Sequence, residues 1–169
     1  MLKYLNTQVT FAEVPDEITL CINITGCKNG CKNCHSPYLA EDIGTPLDED
    51  ALVNLMLHNE GITCVAFMGG DSDPKYLNQL ASVIRNMNDG EPGNWADVRI
   101  AWYSGRQELS RDIDLMNFDY IKLGPYEEDR GPLNYRNTNQ RFYEVFHFSS
   151  GKSKLIDRTF RFWKHEIED

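Results

Sequence analysis

The stretch ITLCINITGCKNGCKNCH, residues 18–35, opens the fold and carries its chemistry. Ile18 to Thr25 is a β-branched run that reads as a buried strand, closed by Gly26. A loop follows directly, with Cys27, Cys31 and Cys34 spaced C-x-x-x-C-x-x-C. An odd number of thiols packed this tightly is poor material for disulfides and good material for a metal. A closed structural zinc site takes four ligands, usually as C-x-x-C plus a second pair elsewhere. An iron–sulfur cube held by three cysteines leaves one iron without a protein ligand, able to bind a small molecule.

Outward from this stretch, strand and helix alternate. In PLDEDALVNLMLHN, Asp48 caps a predicted helix whose Leu52, Leu55, Met56 and Asn59 follow helical spacing. Thr63 to Met68 is a short apolar strand ending in Gly69-Gly70-Asp71. Asp73 caps a second helix with Pro74 at its first position, and Tyr76, Leu77, Leu80, Val83, Ile84 and Met87 form its apolar face. The stretch Asp89–Asn94 reads as a loop, and Val98 to Tyr103 as a strand ending in Ser104-Gly105. A helical segment is expected around Glu108–Met116, then a strand at Tyr120–Leu123 before Gly124-Pro125. Beyond Gly131 the pattern weakens; FYEVFHF fits a strand, and the tail TFRFWKHEIED is ambiguous.

This alternation predicts an α/β fold, a parallel sheet with right-handed helical crossovers, in one domain over residues 1–169. Ligands of such sheets bind at the carboxyl ends of the strands. The cysteine loop, Gly69-Gly70-Asp71, Tyr103-Ser104-Gly105 and Leu123-Gly124-Pro125 are therefore expected on one rim.

The chain has 169 residues, 41% of them hydrophobic, enough for one core. Its formal charge of -9 argues against non-specific nucleic-acid binding, which rewards a basic face. No apolar run approaches the roughly 20 residues of a membrane span. MLKYLNTQVTFAEVPDE has no basic segment followed by a continuous apolar one, so no secretory signal is read there. The expected compartment is the cytoplasm, where clustered thiols stay reduced.

A strand followed by C-x-x-x-C-x-x-C, then a second strand ending in Gly-Gly-acid, resembles the radical S-adenosylmethionine superfamily. Within it, the chain is similar to the activating enzymes of the anaerobic (class III) ribonucleoside-triphosphate reductase. FMGGDSDP resembles that family's strand-end GGDP run, and IAWYSG its next aromatic-rich strand. DYIKLGPYEEDRGPLNYRNTNQRFYEV resembles its last core strand and the segment that follows. The likeness runs in order over roughly residues 15–145.

The resemblance implies a partial (β/α) barrel, and an oxidoreductase in which Cys27, Cys31 and Cys34 ligate a [4Fe–4S] cluster. The fourth iron takes the amino and carboxylate groups of S-adenosylmethionine. It places Gly69, Gly70 and Asp71 against the methionine moiety, with Asp71 accepting from the ammonium, and puts Ser104 near the carboxylate or ribose. It implies no catalytic residue beyond the cluster and S-adenosylmethionine. The implied partners are the large glycyl-radical reductase and an electron donor such as a flavodoxin or ferredoxin.

The chain departs from the pattern at Asn33, where many superfamily members have an aromatic residue, and at His35. Ser72 and Asp73 extend GGDP by two residues, leaving Asp71 and Asp73 as rival carboxylates. Other readings stand beside this one. Another small radical S-adenosylmethionine enzyme would act on a different glycyl enzyme or on a small molecule. A non-catalytic zinc module would use the three cysteines and His35. Cys31–His35 also spells the C-x-x-C-H of haem attachment, which normally follows export. Cys21 and Cys64 read as small buried core residues, and His58 and His147 as structural. Glu127, Glu128 and Asp129 read as a solvated loop or as part of the surface that would face the reductase.

Overall fold

The computed structural model describes residues 1–90, 95 and 97–163, with side chains for all of these except 88–90. Part of the expected loop (91–94) and the end of the tail (164–169) lie outside the described residues.

In chain order the strands are β1 (Lys3–Thr10), β2 (Thr19–Ile24), β3 (Thr45–Pro46), β4 (Cys64–Met68), β5 (Arg99–Tyr103), β6 (Tyr120–Leu123), β7 (Arg141–His147) and β8 (Ser153–Asp157). Two α-helices, α1 (Glu49–Leu57) and α2 (Pro74–Gly90), follow β3 and β4. One sheet holds all eight strands in the order β3-β1-β2-β4-β5-β6-β7-β8.

The expected core strands fall where the sequence places them. β2, β4, β5 and β6 pair in parallel, with Ile22 beside Phe67, Phe67 beside Trp102, and Trp102 beside Ile121. Their near-continuous apolar runs match strands covered on both faces. Asp48 caps α1 by accepting from the Ala51 N–H at 2.8 Å, and Asp73 caps α2 through the Tyr76 N–H at 3.1 Å. Leu52 and Met56 of α1 and Leu77, Leu80 and Ile84 of α2 pack on Leu20, Ile22, Phe67, Ile100 and Trp102. The sheet's other face carries small side chains, Cys21, Cys64, Ala66 and Ala101, beside Tyr103, Tyr120 and Phe142.

Two expectations need correction. The sheet is parallel only at its centre: β1 runs antiparallel to β2 and β3, and β7 antiparallel to β6 and β8. Antiparallel neighbours need no helical crossover, so the outer strands join the sheet through loops. Nor does a helix alternate with every strand. The segment around Glu108–Met116 forms turns, ending in a single 3-10 turn at Leu115–Asn117. There the Ser110 hydroxyl accepts from the Asp112 N–H (3.3 Å) and Asp114 from the Met116 N–H (3.0 Å), while the Asp114 N–H donates to Asn78 Oδ1 (2.9 Å). These side chains satisfy backbone donors locally and displace the helical ladder. The tail likewise forms a 3-10 turn at Thr159–Phe162. Among the described residues, no helix is long and apolar enough to cross a membrane.

Candidate functional site

The carboxyl ends of β2, β4, β5 and β6 meet at a cavity of about 810 Å³. Cys27, Cys31, Cys34, Gly69, Asp71 and Lys122 all line it. Three of the four loops expected on one rim therefore contribute cavity-lining residues, and Tyr126, just beyond the fourth, does so too.

The cysteine loop leaves β2 through Gly26, whose φ of 76° suits glycine, and turns again at Gly30 (φ 62°). The Gly26 N–H donates to Glu41 O (3.0 Å) and the Cys27 N–H to Leu39 O (3.0 Å), which ties the first cysteine to the 3-10 turn at Pro37–Ala40 and the residue that ends it. Further along, the Cys34 N–H donates to Cys31 O (3.3 Å), and the Ser36 N–H to Cys34 Sγ (3.4 Å). Asn33, in the left-handed region at φ 55°, donates through its side chain to Glu128 (2.5 Å). The His35 ring lies 4.7 Å from that of Tyr126. All three cysteines are free thiols; Cys27 and Cys31 are half-buried and Cys34 exposed. Among the described residues, no group of three or more His, Cys, Asp or Glu is gathered closely enough to hold a metal ion.

Asp71 is the most heavily bonded of the expected site residues. Its carboxylate is 4% exposed and accepts from the Ser104 hydroxyl (2.6 Å), the Gly105 N–H (2.9 Å) and the Asn29 side chain (2.8 Å). Its carbonyl accepts from Arg106 at 2.8 Å. The rival Asp73 is at the helix cap and 3.6 Å from the N-terminal amine. Gly69 sits at φ 103° with its carbonyl accepting from the Trp102 indole (2.8 Å). Gly70 faces the core: a Cβ there would stand 2.8 Å from Leu77 Cδ1. Ser104 is fully buried and does not line the cavity; its hydroxyl is turned to Asp71.

Two contributors went unread in the sequence. Lys122 on β6 is 9% exposed, and its ammonium donates to Ser104 O (3.2 Å) and Gly124 O (2.7 Å). Burial pulls its pKa down to about 8, against the opposing pull of Asp71 and Cys31. A lysine within the apolar run YIKL was its only sequence signal. Asn29, between the first two cysteines, reads as an ordinary loop residue until its bond to Asp71 is seen. No protein-family model, curated protein or solved structure matches the chain.

Proposed function

We propose that this protein is a radical S-adenosylmethionine activase that installs a glycyl radical on the anaerobic ribonucleoside-triphosphate reductase. One observation carries the reading: the three cysteines of the C-x-x-x-C-x-x-C loop line the same cavity as the strand-end Gly69 and Asp71. A cavity of about 810 Å³ is within the range of cofactor-sized sites, roughly 300–1,000 Å³. The sheet's small-residue face and its central parallel strands are compatible with the partial barrel of that superfamily.

As free thiols on one glycine-turned loop, Cys27, Cys31 and Cys34 suit a [4Fe–4S] cluster and would be its ligands, the loop having to close to bring them together. With S-adenosylmethionine, such a cluster would supply the electron for cleaving the sulfonium S–C bond. The chain's own groups bind and orient. Gly69 lets a ligand approach the β4 end closely. Asp71 offers its remaining acceptor capacity to the methionine ammonium, and Lys122 brings a buried cation toward the carboxylate. Ser104 acts through Asp71. The reading includes a cytoplasmic setting and a flavodoxin- or ferredoxin-type donor.

The test is anaerobic reconstitution with iron and sulfide, reduction, and incubation with S-adenosylmethionine and the reductase. A glycyl-radical EPR signal on that reductase is expected; the signal on a different glycyl enzyme alone would move the activity there. His35 lines the cavity beside the three cysteines, which favours a second reading, a non-catalytic zinc module. A colourless protein retaining zinc and no iron would select it.

A further inference from the structure

We infer that Asp71 tethers the cysteine loop to the sheet, through Asn29, across a gap that Gly105 keeps open. Three observations converge. Asn29 stands between Cys27 and Cys31, and its side-chain N–H reaches across 42 positions of sequence to Asp71 Oδ2 at 2.8 Å. The same oxygen takes the Gly105 N–H at 2.9 Å while Oδ1 takes the Ser104 hydroxyl at 2.6 Å, so the β5 end locks the carboxylate in place. A Cβ at Gly105 would lie 2.3 Å from Asn29 Nδ2 and 3.6 Å from Asp71 Oδ2. A side chain at position 105 would therefore force the Asn29 amide away from its present place beside Asp71.

The tether is charge-assisted and part-buried, which makes it stronger than an ordinary neutral loop contact. Beneath it, Lys122 holds the carbonyl of Ser104 and contributes a buried positive charge toward Asp71. The loop's other fixings, at Gly26–Cys27 and at Asn33, lie on either side of the Cys27–Cys31 span, whereas Asn29 lies inside it. Asp71 is thus a positioning residue: through Asn29 it sets where Cys27 and Cys31 stand. Its role as holder of cluster ligands rests on the proposed function; the tether itself does not.

The experiment separates the two. In the full-length, reduced, iron-free chain, alkylation by iodoacetamide is timed at each cysteine by peptide mass spectrometry. Asn29→Ala and Gly105→Ala should each raise the rates at Cys27 and Cys31 by about tenfold, the scale of a lost hydrogen bond to a charged group. Cys21 and Cys64 should not change, which also reports that the variants fold.

The double variant should label no faster than the faster single one, because both substitutions remove one device. Asp71→Asn, which keeps an acceptor for Asn29 while its amide turns to the Ser104 hydroxyl, should fall between wild type and Asn29→Ala. Unchanged rates in Asn29→Ala, or independent multiplying effects in the double variant, would overturn the tether. In parallel, iron and sulfide bound after anaerobic reconstitution are measured, and both single variants should retain less than wild type. Wild type that binds no iron would remove the proposed function and leave the labelling result standing. Wild type that binds iron, with labelling unaltered in the variants, would do the reverse.

Discussion

The five cysteines form two populations, and little but their surroundings separates them. Cys21 and Cys64 lie on adjacent parallel strands, buried against Ala66, Ala101, Tyr103 and Phe142. Burial, with Glu13 adding repulsion, pushes the Cys21 thiol up to about 12, and burial pushes Cys64 well above its ordinary range. Cys27, Cys31 and Cys34 stand on a glycine-turned loop at the cavity, half-buried or exposed. A thiolate ligand requires a thiol that can lose its proton and a chain that can move around the metal. The strand pair lacks both properties. The loop has solvent access and several points of turning.

That contrast can be broken by experiment, most severely by deleting one member of each population. Cys31→Ala should reduce iron retention and 5′-deoxyadenosine formation to background, whereas Cys21→Ala should keep both and lose about 1 kcal/mol of stability to packing. Iron analysis of the two reconstituted variants reads the difference directly. Equal retention would erase the distinction.

The next effect is kinetic. At pH 8.5, a thiol raised from 9.0 to about 12 carries roughly a thousandfold less thiolate. Iodoacetamide should therefore modify the three loop cysteines in a fast phase and leave Cys21 and Cys64 to a much slower one.

The two acids of GGDSD also differ in kind. Asp71→Ala leaves the Ser104 hydroxyl, the Gly105 N–H and the Asn29 side chain without their acceptor, and should cost about 3 kcal/mol in chemical denaturation. Asp73→Ala removes a helix cap and should cost about 1 kcal/mol.

The smallest effect is a pH trend with opposite signs at two groups. The Cys21 thiol titrates near 9 in the unfolded chain and near 12 when folded. Between these values the unfolded chain binds fewer protons, and stability falls as pH rises. Lys122, lowered from 10.5 to about 8, makes the unfolded chain bind more protons between those values, so its contribution rises with pH. Between pH 9 and 10, the stability advantage of wild type over Cys21→Ala should shrink, and that over Lys122→Met should grow, by about 1 kcal/mol each.

Much of the central sheet was legible because its signals are local. Tyr120–Leu123 is the strand expected, Ile18–Thr25 and Thr63–Met68 shorten only at their ends, and Asp48 and Asp73 cap their helices as read. β1 escaped notice because KYLNTQVT buries little and alternates weakly, while β8 is a half-exposed edge strand. The turns after Gln107 were mistaken for a helix because Ser110, Asp112 and Asp114 can serve a helix or replace it, and only Asn78 from α2 decides between them.

In the site, the cysteine spacing announced itself, and the Asp71–Asp73 offset did not resolve. Which acid faces the cavity depends on where α2 begins relative to the β4 end. Asn29 gave no sequence signal and Lys122 only its place in an apolar run, for the same reason. Their roles are set by partners on other strands, at Asp71, Ser104 and Gly124.

The proposed function has the loop thiols hold a cluster that cleaves S-adenosylmethionine. Its most direct test is the amount of 5′-deoxyadenosine formed by the reconstituted, dithionite-reduced wild-type chain, followed by chromatography beside Cys31→Ala. Turnover is expected in wild type and none in the variant. An iron-loaded wild type that releases no 5′-deoxyadenosine, or a Cys31→Ala variant that matches it, would contradict the claim.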